Sequence, residues 1–238
     1  MEFLDLNLSS PAEQLACDEA LLLEQEARGG SSCLWFWEPE RVFVVLGYTN
    51  DAAREVNLDV CRTRAVPVFR RYTGGGAVVQ APGCLNFSLI LPLDADPALQ
   101  TAGGTSAHVM GRHAAALRPL VRGQVEVSGF SDLAIGGRKI AGSAQRRLHR
   151  SALVHGCFLL ACDLPLIGEL LPMPSRQPGY RKGRSHGEFL RTLDLPVSAV
   201  IAALREAWGA VEIRSDAPRE EIGRLARERY ADPSWTFK

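Results

Sequence analysis

Three consecutive glycines, Gly74 to Gly76, interrupt an apolar run that enters through Arg70-Arg71-Tyr72-Thr73 and leaves through Ala77-Val78-Val79. A strand that ends on two cations, gives way to glycine and resumes as a strand brings bare backbone close to a ligand. The glycines remove side-chain bulk and offer N–H donors to oxyanions, while the arginines neutralise a phosphate or carboxylate. A glycine-rich hairpin with two solvated arginines fits the same pattern. The loop is not a Walker loop, since no Gly-Lys-Ser/Thr follows at the required spacing, and no Gly-x-Gly-x-x-Gly opens a helix.

Strand character surrounds this loop. Cys33 to Trp37, Arg41 to Tyr48 and Ala65 to Arg71 are β-rich, with a short helix over Asn57 to Thr63. In Leu85 to Leu91, Asn86 and Ser88 alternate with apolar neighbours before the turn at Pro92 to Pro97. Upstream, Ser10-Pro11-Ala12-Glu13 reads as a capping box with proline at the first helical position, which predicts a helix from Pro11 to Ala27 stopped by Gly29-Gly30. Downstream, Thr105 to Leu120 reads as a helix, and Val125 to Val127, Leu133 to Ile135, Lys139 to Arg146 and Ser151 to Ala161 as strands, with Gly136-Gly137 where a hairpin would turn. Pro165 to Gly187, rich in proline and arginine, predicts a surface loop, and Ser198 to Trp208 and Pro218 to Tyr230 predict closing helices. Strands joined by short turns, with helices at the beginning, middle and end, imply an α+β fold of largely antiparallel, mixed β-sheets flanked by helices.

With 238 residues, 46% of them hydrophobic, the chain can bury one sizeable core, and a single domain over 1–238 is expected. Its 27 basic and 27 acidic residues cancel, and scattered arginines give no basic stripe with interleaved aromatics, so nucleic acid is not an expected partner. No apolar run approaches the roughly 18 residues of a membrane helix, and no cationic, apolar leader opens the sequence, so a cytoplasmic protein is expected with no membrane contact. Six cysteines without a Cys-x-x-Cys pair fit neither a zinc ribbon nor a disulfide scaffold.

Only three lysines, at 139, 182 and 238, stand against 24 arginines. In a chain that otherwise chooses arginine, a lysine marks a place for a compact, rotatable ammonium. Lys139 opens the segment Lys139-Ile140-Ala141-Gly142-Ser143-Ala144-Gln145 after a glycine turn, where small residues leave room for a ligand. There it could contact a transferring acyl carbonyl and a phosphate together, or simply be an exposed strand-end lysine. Val154-His155-Gly156-Cys157-Phe158 places polar groups in an apolar strand; a core histidine and cysteine fit it equally.

Taken in order, these segments resemble the lipoate-protein ligase A family, within the larger group of lipoyl, octanoyl and biotinyl protein ligases and transferases. The family's two arginines, Ser or Thr, and Gly-Gly-Gly-x-Val are matched by Arg70, Arg71, Thr73, Gly74, Gly75, Gly76 and Val78, and its Gly-x-x-Asn-x-Ser strand by Gly83 to Ser88 with Asn86. Its Lys-x-x-Gly-x-Ala segment is matched by Lys139, Gly142 and Ala144, around Ser143, and its His-Gly pair by His155 and Gly156. Weaker echoes lie in Ala16-Cys17-Asp18-Glu19, in Gly47-Tyr48 with Asn50, and in Arg229 to Trp235. The resemblance implies the catalytic-domain fold of the biotinyl and lipoyl protein ligases. It further implies an enzyme that uses ATP and Mg²⁺ to make an acyl-adenylate from lipoate or octanoate and passes the acyl group to a lysine of a lipoyl carrier domain. Arg70, Arg71 and Gly74 to Gly76 would line the acyl and adenylate site, main-chain groups near Val78 to Gln80 would face the nucleotide, and Lys139 would grip the α-phosphate and acyl carbonyl. Asp132 would help hold the metal, and His155, Gly156 and Cys157 would border the acyl tunnel. The chain corresponds to a catalytic domain alone, for which a separate accessory subunit could be needed. The turn Arg146 to Arg150 and the loop Arg176 to His186 could meet an acidic carrier.

Three positions depart from the family pattern: Gln80-Ala81 replaces His-Asp, Ser131 replaces Asn, and Cys157 replaces Thr. They keep two alternatives open: an ATP-independent octanoyl or lipoyl transferase working through a thioester on Cys157 or Cys84, and a homologue that binds an acyl group or nucleotide without catalysis. Val127 to Ser131, where one transferase branch carries its cysteine, has none.

Overall fold

The computed structural model describes residues 1–8 and 10–238. Its strands are β1 (Glu2–Leu4), β2 (Cys33–Trp37), β3 (Phe43–Leu46), β4 (Val68–Arg70), β5 (Val78–Gln80), β6 (Cys84–Pro92), β7 (Val125–Ser128), β8 (Asp132–Ile135), β9 (Arg138–Arg147), β10 (Ser151–Leu159) and β11 (Glu212–Arg214). Its α-helices are α1 (Pro11–Arg28), α2 (Ala52–Glu55), α3 (Leu58–Thr63), α4 (Ala102–Leu117), α5 (Leu164–Leu170), α6 (His186–Phe189), α7 (Val197–Trp208), α8 (Arg219–Leu225) and α9 (Pro233–Thr236).

Eight strands form one sheet in the order β11-β1-β2-β6-β10-β9-β8-β7, and β4-β3-β5 form a second. Pairing is antiparallel from β2 through β7, and parallel where β1 joins β2 and β11 and where β3 joins β4. The α+β arrangement of mixed sheets is therefore as the sequence predicts. In the large sheet the period of two sorts side chains between faces. Leu34, Phe36, Leu85, Phe87, Leu89, Val154 and Phe158 pack against α4 and α7. Cys33, Trp35, Trp37, Ile90 and Leu153 face α1 and α8. That second face also carries Asn86 and Ser88 of β6, which pair in register with Cys157 and His155 of β10. Polar groups thus line up where the large sheet meets the small one.

Several local expectations change. Ser10 precedes α1 and Pro11 opens it, but Ser10 makes no side-chain cap bond, so the predicted capping box does not form there. A capping box does form at Ser185 with Glu188, starting α6 inside the segment expected to be a surface loop. That segment also holds α5, capped by Asp163, whose Pro165 sits in the first turn, where the missing N–H costs nothing. The helix expected from Thr105 starts earlier, at Ala102, because Thr101 caps it and outweighs Gly103-Gly104. β1 and β11 escape the sequence reading because each is three residues long and exists through parallel partners distant in sequence.

Candidate active site

A cavity of about 570 Å³ lies between the sheets, walled by the glycine loop, β6, β9, β10 and the segment from Leu171 to Leu190. Arg71, Gly75, Gly76, Val78, Gln80, Asn86, Asp132, Lys139, Gly142, Ser143, Ala144, His155, Gly156 and Cys157 all line it. Arg70, Thr73 and Gly74 do not.

The two arginines behave differently from the anion-neutralising pair expected. Arg70 is 1% exposed and donates to the carbonyls of Gly47, Tyr48, Asn50, Trp235 and Thr236, which makes it a peg between the small sheet and the C-terminal turn. Arg71 is buried, and burial pushes its guanidinium down to about 10, leaving it charged at neutral pH. Its Nε donates to Thr73 Oγ1 (2.9 Å) and Gly74 O (3.1 Å), and its Nη2 to Gly76 O (2.9 Å). The third loop carbonyl, that of Gly75, packs on Gly47, where any side chain would collide with it. With the carbonyls drawn away, the amides of Gly74, Gly75 and Gly76 have no acceptor among the described residues. Backbone donors without acceptors form a concavity suited to a carboxylate or phosphate.

Lys139 reaches the cavity from β9. Its Nζ lies 2.8 Å from Asp132 Oδ1, and Tyr180 donates to Asp132 Oδ2 at 2.8 Å. Burial, then the neighbouring Asp132, raises the Tyr180 phenol, which keeps it protonated as a donor. The ammonium lies over Gly142, where a Cβ would come within 2.5 Å of Nζ. Gly142 is therefore a requirement of the lysine's position. On β10, a Cβ at Gly156 would strike the Gly142 carbonyl and the Phe87 ring.

Asp132 is the one expected metal ligand, and the residues present do not make a metal centre. Both its oxygens are taken, Ser131 donates to the Ser143 carbonyl, and no cluster of three ligating side chains exists among the described residues.

Gln80 and Asn86 satisfy each other through reciprocal amide bonds of 2.7 and 2.9 Å. Cys157 Sγ stands 3.9 Å from Gln80 Oε1 on the cavity wall. Cys84 is 1% exposed and does not line the cavity; hydrogen bonding to Cys157, with burial, raises its thiol well above the ordinary range. Of the expected carrier-facing cations, Arg147 is spent on Thr105, Leu99 and Gln100, and Arg150 on Glu26. Arg176, Arg181 and His186 border the cavity.

Sequence reasoning named Asp18 only as a faint echo, yet its buried carboxylate contacts His155 Nδ1 (2.6 Å) and Ser88 Oγ behind the cavity wall. A carboxylate inside the apolar run Leu15 to Leu22 was the available signal. Phe130, 87% exposed at the cavity mouth, was passed over because a turn phenylalanine has no periodicity to mark it.

The fold is that of the lipoyl protein ligases. Residues 10–207 match the family model described as the lipoyl protein ligase A/B catalytic domain, and the chain belongs to that family. It is similar to lipoate-protein ligase A subunit 1 of Thermoplasma acidophilum, 29% identical over 94% of this chain and 90% of that one. It is also similar to the octanoyltransferase LipM of Carboxydothermus hydrogenoformans, 28% identical over 99% and 98% of the two chains. A solved lipoate-protein ligase A bound with ATP superposes with a TM-score of 0.76 at 26% identity, covering 99% of this chain and 98% of that one. No helix is long and apolar enough to cross a membrane.

Proposed function

We propose that the protein is an ATP-dependent lipoate-protein ligase that activates lipoate or octanoate as an acyl-adenylate and transfers it to a lysine of a lipoyl carrier domain. The observation that carries this reading is the meeting, on one cavity, of the Lys139 ammonium and a glycine loop whose carbonyls are tied back by Arg71. The ATP-bound relative supports the choice of nucleotide. In the first step an acyl carboxylate oxygen attacks the α-phosphorus of ATP and the bond to pyrophosphate breaks. Lys139 and the loop amides would hold the negative charge that gathers on the α-phosphate and carboxyl oxygens, an interaction strengthened where water is excluded. In the second step the carrier lysine's amine attacks the acyl carbonyl and AMP departs. Asp132, itself held by Tyr180, orients Lys139. The relative named subunit 1 supports a separate accessory subunit for this chain as well.

Pyrophosphate release with lipoate, ATP and Mg²⁺, with octanoate in parallel, tests the first step. Release is expected from the wild type and is expected to fall at least a hundredfold in Lys139→Ala, with an unchanged melting temperature. Release that is insensitive to Lys139 would remove the role given to it.

One observation favours a second reading. Cys157 lines the same cavity as Lys139 and pairs in register with Gly142, over which the Lys139 ammonium lies. An acyl group received from a carrier thioester, with the donor thiol leaving, would then rest on Cys157 Sγ. Intact-protein mass spectrometry with an octanoyl-carrier donor decides: a hydroxylamine-sensitive octanoyl adduct lost in Cys157→Ser selects the transferase, and its absence selects the ligase.

A further inference from the structure

Asp18, His155 and Thr73 form an unbroken hydrogen-bonded line behind the cavity wall. Asp18 on α1 is 3% exposed and meets His155 Nδ1 at 2.6 Å; His155 Nε2 meets Thr73 Oγ1 at 2.6 Å; and Thr73 Oγ1 accepts from Arg71 Nε at 2.9 Å. Arg71 in turn holds the carbonyls of Gly74 and Gly76. The Asp18 carboxylate can only accept, and the Thr73 oxygen, with one proton and two lone pairs, bonds His155 Nε2 while accepting from Arg71 Nε. The order carboxylate, imidazole, hydroxyl is that of an acyl-transferring triad, but Thr73 is fully buried, does not line the cavity, and has its oxygen engaged by Arg71.

The geometry points to Asp18 and Thr73 as positioning residues: through His155 and Arg71 they lock the glycine loop in the conformation that turns its amides, and not its carbonyls, toward the acyl and phosphate groups. This rests on the proposed reading of the loop as an anion cradle. The lock explains why a buried carboxylate is kept in the apolar middle of α1. Its oxygens meet two residues of the cavity wall, Ser88 and His155. It also explains how three adjacent glycines, which lose more conformational freedom on ordering than any other residues, hold a single shape.

The test uses the full chain labelled with ¹⁵N-glycine, as wild type, Thr73→Val, Thr73→Ser and Asp18→Asn. Order parameters for Gly74 to Gly76 are compared with those of the sheet glycines Gly142 and Gly156, and octanoate affinity is measured by calorimetry. Thr73→Val removes the hydroxyl at nearly constant volume and is expected to drop the loop values from near 0.85 to below about 0.6 while the sheet glycines stay rigid. Octanoate affinity should weaken about tenfold. Thr73→Ser should restore both, and Asp18→Asn should move them in the same direction as Thr73→Val; if Asp18→Asn does not fold, the two Thr73 variants decide. A loop as rigid in Thr73→Val as in the wild type overturns the proposal. So does mobility that rises equally throughout the sheet, or an octanoyl ester found on Thr73. If the wild type does not bind octanoate, the acyl reading fails, while the order parameters still decide whether the lock exists.

Discussion

His113, on the buried face of α4, is 0% exposed, with its ring 4.5 Å from Phe87 and 5.8 Å from Trp208, and neither ring nitrogen has a partner among the described residues. Burial pushes its imidazole down to about 3. In the unfolded chain it would titrate near the ordinary 6.5. Between those values the unfolded chain binds a proton that the folded protein refuses, so stability rises with pH through this window. It is complete above about 6.5 and falls as the pH drops toward 3, by about 1.4 kcal/mol per pH unit for one such group. His113→Phe keeps a ring of similar shape and removes the titration. Melting temperatures taken between pH 7.5 and pH 4.5 should fall less steeply for His113→Phe than for the wild type. Parallel curves would mean that acid sensitivity arises elsewhere. Cys84 illustrates the same physics at a residue that the sequence offered as a nucleophile: its place in a motif was legible, but its burial away from the cavity, with Cys157 raising its thiol, was not.

β9 and β10 turn single glycines into opposite kinds of constraint. A Cβ at Gly142 meets the flexible end of Lys139, which can swing away, so Gly142→Ala should fold with a melting temperature close to the wild type while adenylation falls ten- to a hundredfold. A Cβ at Gly156 meets the Gly142 backbone carbonyl and the Phe87 ring, neither of which can yield cheaply, so Gly156→Ala should lower stability by about 1–3 kcal/mol. Paired denaturation and pyrophosphate-release measurements separate the two; equal effects in both assays would refute the distinction. The sequence located β2, β6, β9 and β10 because short β-rich runs bounded by turns are visible locally, with alternation clearest in β6, and it located the glycine loop because three glycines are unusual. It did not show α5 or α6, since proline in a first turn and proline in a loop look alike until the cap is known. Nor did it show that the Pro165 to Gly187 segment walls the cavity, because Pro172, Arg181 and His186 reach it only through the fold.

Across the whole molecule, the expectation that Arg70 and Arg71 act alike fails for a reason no local pattern contains. Arg70 is the last residue of β4 and Arg71 the first beyond it, and their side chains part: one guanidinium enters the loop and the other leaves toward a C-terminal turn more than 160 residues away. Arg70 ties together the Gly47 to Asn50 turn and α9 with its Trp235 ring, whose Nε1 donates back to the Arg70 carbonyl at 2.9 Å. Arg70→Lys retains the charge but replaces a planar fork by a point donor that cannot reach five carbonyls at once. Loss of these buried, charge-assisted bonds should cost about 2–4 kcal/mol. The segment from Pro233 to Lys238 should become open to protease while the core of the large sheet stays protected. At a temperature where the variant is folded, its KM for the acyl acid should match the wild type, because the cavity does not include Arg70. A raised KM in a variant of unchanged stability would return Arg70 to the anion site that the sequence alone assigned it.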